Sequence, residues 1–232
     1  MAEIRDLVPF VPSTFLAEHE GCNQEYFHCG AVELARKLLG QFLYCHQSKV
    51  VVRILETEAY PEDDDIVYDD TFDAYTIEER NAMFKIKGGT MVAWRPVTSV
   101  GYHLYITAGE EDCGDVVYLR SCEPIEGRHV VLERRGLNNE SPQTTINQVL
   151  IGPSKVAQGL GKEWESNPVL YEEGGVQLFH GTVPPREKIL CGIRYLPYDL
   201  SKVNRGNMRF ALEKRNPTPK YANKKTLKHL EQ

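Results

Sequence analysis

Residues 49–60 read KVVVRILETEAY, and the fold turns on how this stretch is read. Three valines and an Ile-Leu pair make a β-branched apolar run of the kind found in strands buried on both faces. The run ends in Glu56-Thr57-Glu58-Ala59-Tyr60. Strand side chains alternate, so Glu56, Glu58 and Tyr60 share one face if the chain stays extended that far. Two carboxylates leaving a core strand with an aromatic ring are costly to bury without partners. Such a grouping suits a polar pocket that handles water. A strand fraying into a surface loop is an equal reading of the same residues, since charged side chains are usually solvated.

A chain of 232 residues with 41% hydrophobic content can form one sizeable core or two small ones. No apolar run approaches about 18 residues, so no membrane-spanning helix is expected. The opening residues Met1-Ala2-Glu3-Ile4-Arg5-Asp6 lack the basic-then-apolar order of a signal peptide. Six cysteines without a CxxC pair read as reduced thiols in a cytosol or nucleus. Net charge is −6, but residues 202–228 hold nine basic side chains against Glu213, giving +8 there and −14 elsewhere. Residues 62–79 carry nine Asp or Glu and no Lys or Arg. A basic segment on an acidic body can bind a polyanion because the local field decides; a solubilising tail fits the composition equally well.

Leu34, Ala35, Leu38 and Leu39 recur at helical spacing after Ala31, and Gly40 supplies the stop, which predicts a helix over 31–39. Strands are predicted at 41–46, 90–94, 102–107, 115–120, 171–180, 189–195 and 208–212. Pro124 is expected in the first turn of a helix running to about 135. A second helix opens at Gly152-Pro153-Ser154-Lys155, with Ser154 as its N-cap. Short helices are expected at 77–84 and 144–150, and an exposed acidic loop between them and Tyr60. The interleaved order predicts one mixed α+β domain over 30–215, an irregular lead-in over 1–29 and a basic tail over 216–232.

Glu58 is the candidate general base, because desolvation beside an apolar strand raises a carboxylate's proton affinity. Tyr60 can stack on a planar ligand, and Arg120, at the end of its own strand, can hold the carboxylate or a water. A structural ion pair explains Arg120 as well. The sequence contains no GxSxG elbow, HExxH helix or Walker loop. Its seven histidines form no metal-ligand pattern, and Asp63-Asp64-Asp65 lacks the glycine and spacing of a calcium loop.

In order along the chain stand ETEAY at 56–60, Met83-Phe84 with Lys87-Gly88-Gly89-Thr90, LRSCEPIEG at 119–127 and GPSK at 152–155. This order resembles the alkyladenine (3-methyladenine) DNA glycosylases of base-excision repair, over about residues 31–215. The resemblance implies a curved, mainly antiparallel sheet flanked by helices, and no metal or other cofactor. It implies a monomer that extrudes a damaged purine from double-stranded DNA and hydrolyses the N-glycosidic bond. A nuclear site follows for a eukaryotic source, a cytoplasmic one otherwise. Glu58 falls on the family's general base, Tyr60 on a base-stacking aromatic and Arg120 on the arginine that steadies the base and its water.

The chain departs from the family pattern at several pocket positions. Asp69 stands where the family has a histidine, Trp94 replaces another stacking aromatic, and the lesion-selecting asparagine is replaced near Thr107. The wedge that fills the gap in the duplex falls near Val97, Val100 or Tyr102. Ser154, Lys155, Lys214, Arg215 and Lys220 are expected on DNA. Two other readings stay open: a damaged-DNA binder without activity, motivated by Asp69 and Val97, and a lyase using a lysine such as Lys155.

Overall fold

The structure is a computed structural model and describes residues 14–64, 85–95, 99, 101–141, 144, 149–161, 167–182, 184–185, 188–194 and 206–213, with the backbone of 227–229. Its strands in chain order are β1 (Phe42–Cys45), β2 (Val50–Tyr60), β3 (Met91–Trp94), β4 (His103–Thr107) and β5 (Val116–Glu126). They continue with β6 (Val176–Phe179), β7 (Ile189–Gly192), β8 (Arg209–Leu212) and β9 (Leu227–His229). The helices are α1 (Phe15–Glu18), α2 (Ala31–Lys37), α3 (Arg128–Arg134) and α4 (Pro153–Leu160), plus a 3-10 turn at Gln24–Phe27.

The strands form one curled antiparallel half-barrel in the order β3-β4-β5-β2-β8-β7-β9, with β1 and β6 branching from β2. This is the expected single α+β domain with a curved sheet. β2 is its axis: β5 lies along one edge, while the other edge pairs first with β1 and then with β8. The valine run is buried on both faces, as its composition predicts. Val50 and Val52 join the main core, and Val51 enters a second cluster with Phe15, Tyr44 and Phe179. The strand does not fray: it runs through Tyr60, with Glu56 and Glu58 buried.

One irregularity makes that possible. Ile54 pairs with Cys122, Glu56 with Ser121 and Thr57 with Leu119, so each strand carries an extra residue at the same level. Such bulges reverse which side chains face which way. Val50, Val52 and Ile54 face the main core below the bulge; above it Ala59 does, with Leu119 and Val117 from β5. Simple alternation would have driven Glu56 and Glu58 into that core. The double bulge turns them, together with Arg120, onto the opposite face.

Several sequence expectations need correcting. Pro124 does not start a helix; β5 continues through it to Glu126, and α3 begins at Arg128. Proline is tolerated because Pro124 faces β2 beside a register shift, and among the described residues the ladder on β5's other edge ends at the Ser121–Ile151 bridge. Ser154 is not the N-cap of α4; Gly152 is, without a side-chain cap. The lead-in contains two short helical turns that bury Phe15 and Phe27. The segment read as a basic tail contains β9, which pairs with β7. The helices expected at 77–84 and across most of 144–150 lie outside the described residues.

Candidate active site

Above the double bulge, one face of the sheet carries aromatic and charged side chains from five adjacent strands. Register places Trp94 opposite His103, Tyr105 opposite Tyr118, and Tyr118 opposite Glu58, which faces Arg209 on its other side. Tyr105, Val116 and Tyr118 form a small cluster, against which Tyr60 and Trp94 pack. Tyr105 and Tyr118 are stacked at 4.8 Å, and Tyr60 meets Tyr118 edge-on at 6.3 Å. The opposite face of the same strands is ordinary apolar core under α2, where the Thr57 hydroxyl donates to the Ala35 carbonyl.

Glu58 is fully buried. Its Oε2 accepts from Arg120 Nη1 at 2.9 Å and from the Tyr60 hydroxyl at 3.1 Å. Arg120 Nε lies 3.5 Å from Glu56 Oε1, and Arg209 Nε donates to that oxygen at 2.6 Å. A third pair closes the array: Arg194 Nη1 donates to the Ala59 carbonyl at 2.8 Å and to Asp64. Three buried carboxylates thus meet three buried guanidinia, which offsets the cost of burying each charge alone.

Burial works against the Arg120 charge, but Glu58 and Glu56 outweigh it and raise its pKa. Burial, and then Glu58, push the Tyr60 hydroxyl well above its usual range, so it stays a proton donor. His103 is lowered to about 4 by burial and by Arg120. With that imidazole neutral, Nδ1 shares a hydrogen bond with the Tyr118 hydroxyl at 2.5 Å, and Nε2 lies 2.9 Å from Ser99 Oγ and 3.0 Å from Ser154 Oγ, one ring nitrogen donating and the other accepting. Ser154 therefore ties α4 to the sheet.

Sequence reading named Glu58, Tyr60, Arg120 and Trp94, and the fold brings all four to one face. Thr107 shares it, yet its hydroxyl donates to the Lys87 carbonyl at 2.7 Å and receives Thr90 N–H at 3.0 Å, so it fastens a turn. Tyr102 is half-buried against the main core, and Lys155 lies half-buried in the first turn of α4. Asp69, Val97, Val100, Lys214, Arg215 and Lys220 lie outside the described residues.

Arg194 and Arg209 were missed. Each is an arginine within or just past an apolar strand, and that was their available signal. Arg194 is unusual among them: Nε and Nη2 are buried with no acceptor among the described residues. A buried donor left unpaired costs about 1–3 kcal/mol. The group is held instead by Asp64 and by the Tyr60 ring, whose centroid lies 4.5 Å from the guanidinium carbon.

Known proteins are similar to this chain over most of its length. A DNA-3-methyladenine glycosylase of Arabidopsis thaliana is 34% identical over 216 residues, covering 91% of this chain and 79% of its own. Those of Rattus norvegicus and Mus musculus are 31% and 30% identical, over 68% and 71% of this chain and 50% of each relative. The family model for methylpurine-DNA glycosylase matches residues 25–213, and the chain belongs to that family.

Proposed function

We propose that the protein is a DNA-3-methyladenine glycosylase that extrudes a damaged purine from duplex DNA and hydrolyses its N-glycosidic bond with a water activated by Glu58. The reading is carried by one observation: a buried carboxylate, gripped by Arg120 and Tyr60, shares one face of the sheet with a cluster of aromatic rings. Tyr60 and Trp94 form the stacking surface for the extruded base, a contact worth about 1–3 kcal/mol per base. Extrusion costs a few kcal/mol, least for poorly paired bases, which itself favours lesions.

In the reaction, Glu58 takes a proton from the water while the oxygen bonds to the sugar C1′. The C1′–N bond breaks and its electron pair leaves with the purine. Arg120 keeps the carboxylate oriented. A cationic alkylpurine is already a good leaving group, so a modest base and an aromatic slot suffice. Deaminated purines are included among the substrates, and the protein acts as a monomer.

The test is release of hypoxanthine, ethenoadenine or 7-methylguanine from duplex oligonucleotides, read as alkali-labile sites. Release abolished by Glu58→Gln supports this function. Tight, salt-sensitive binding without release would replace it with a non-catalytic damage binder, and trapping by borohydride with a lyase.

A further inference from the structure

The mechanism above leaves Glu56 unused. It stands at the double bulge of β2 and β5, two residues before the proposed base, and is buried. Burying a second carboxylate there is costly unless it is paired. Arg209 supplies a partner: its Nε and Nη2 lie 2.6 and 2.5 Å from Glu56 Oε1. The same oxygen lies 3.5 Å from Arg120 Nε, while Arg120 Nη1 donates to Glu58 Oε2 at 2.9 Å. One guanidinium is therefore shared between two carboxylates, and one of those carboxylates between two guanidinia. Arg120 and Tyr118 face Glu58 from β5, Arg209 faces it from β8, and Glu56 and Tyr60 stand on β2 itself. Beyond Tyr60, Arg194 and Asp64 offset one another, and beyond Tyr118 lies His103. Burial keeps the Tyr60 hydroxyl and the His103 ring uncharged near neutral pH. The field at Glu58 from these neighbours is thus set by Arg120, Glu56 and Arg209.

We propose that Glu56 is a positioning residue for the reaction, one that holds the Arg120 guanidinium and takes up part of its charge, so that Glu58 is oriented without being Arg120's sole partner. A carboxylate paired one-to-one with a guanidinium is held ionised but weakened as a base, because the same attraction opposes taking a proton. Sharing Arg120 with Glu56 relieves that weakening. Arg209 limits the sharing, since it claims the same Glu56 oxygen. Glu56 acts through Arg120 and not on the reacting atoms. This inference rests on the function proposed above and adds what sets the strength of its base.

The pH dependence of single-turnover release tests it, on a duplex carrying whichever of hypoxanthine, ethenoadenine or 7-methylguanine the unaltered protein releases fastest. The acid limb of that profile reports the general base. In Glu56→Gln a negative charge beside Arg120 and Arg209 is gone, so the half-maximal pH is expected to fall by about 1 pH unit. In Arg209→Gln a positive charge is gone and Glu56 still draws on Arg120, so the half-maximal pH is expected to rise by about 1 pH unit. A merely structural defect lowers both rates and moves neither midpoint. Unmoved midpoints, or midpoints that shift the same way, overturn the role, as does a folded variant without release at any pH. Circular dichroism at the assay temperature reports folding, and if one variant does not fold, the sign of the other's shift decides. If the unaltered protein releases no base, or Glu58→Gln releases it equally well, the proposed function fails and this role with it. Release dependent on Glu58 with unmoved midpoints removes the Glu56 role alone.

Discussion

The Tyr60 hydroxyl donates to Glu58 Oε2, the same oxygen that Arg120 Nη1 holds. One side chain therefore supplies both a stacking ring and a hydrogen bond to the proposed base. The two contributions separate by substitution. Tyr60→Phe keeps the ring and is expected to retain base release within about tenfold, with stability lower by about 1–2 kcal/mol. Tyr60→Ala removes the stacking surface and should cost a further 1–3 kcal/mol or so in transition-state binding. Single-turnover rates of both variants check this. Because the Tyr60 pKa is raised, its hydroxyl still donates at pH 10, so activity should show no alkaline loss there that Tyr60→Phe abolishes.

Arg120→Ala removes the guanidinium that donates to Glu58, and Arg209→Ala the one that donates to Glu56, each a buried carboxylate. Removing one partner of a buried pair costs about 3–5 kcal/mol because the other charge remains. Both variants should unfold at markedly lower denaturant concentration, measured by circular dichroism in urea. Their activities should differ. Arg209 donates to Glu56, whereas Arg120 donates directly to the proposed base, so Arg209→Ala assayed well below its melting temperature should release base far better than Arg120→Ala.

Two glycines separate lack of space from backbone strain. A Cβ on Gly88 would lie 2.2 Å from the Gly109 carbonyl oxygen, backbone that cannot step aside. Gly136 has φ +60 and nothing within 4 Å of a Cβ, so only the left-handed conformation opposes a side chain. Gly88→Ala is expected to cost about 3 kcal/mol, and Gly136→Ala about 1 kcal/mol. Thermal melts of the two variants give the comparison.

The valine run made β2 legible, because β-branched residues without interruption match a strand buried on both sides. ETEAY with Arg120 exposed the centre of the site in the same way. The double bulge was not legible: an extra residue in each strand leaves no mark on composition, yet it decides that Glu58 faces the site. Pro124 misled because its fixed φ suits a helix start as well as an extended edge. Arg194 and Arg209 stayed hidden because their carboxylate partners lie 130 and 153 residues away in sequence, a separation no local pattern spans.

The basic segment gives a prediction read in salt. Each phosphate contact adds about 0.9 to the slope of log affinity against log salt. Neutralising Lys214, Arg215 and Lys220 together should lower that slope by roughly 3 if each meets one phosphate, and weaken binding to all sequences alike. Fluorescence anisotropy over a salt series measures it; an unchanged slope would remove these residues from the DNA interface.

His103 makes stability depend on pH in a definite direction. Burial and then Arg120 lower its pKa from 6.5 to about 4, so between those values the unfolded chain binds more protons than the folded one. Stability from the neutral imidazole is complete above pH 6.5, and is lost as pH falls toward 4, by up to roughly 3 kcal/mol. Protonation also makes both ring nitrogens donors, so neither can accept from the Tyr118, Ser99 or Ser154 hydroxyls. Melting temperature measured from pH 7 to pH 4 should therefore fall more steeply for the unaltered protein than for His103→Asn, which cannot titrate. Parallel curves would mean that the imidazole titrates alike in the folded and unfolded chain, and that the Tyr118 contact does not depend on its charge.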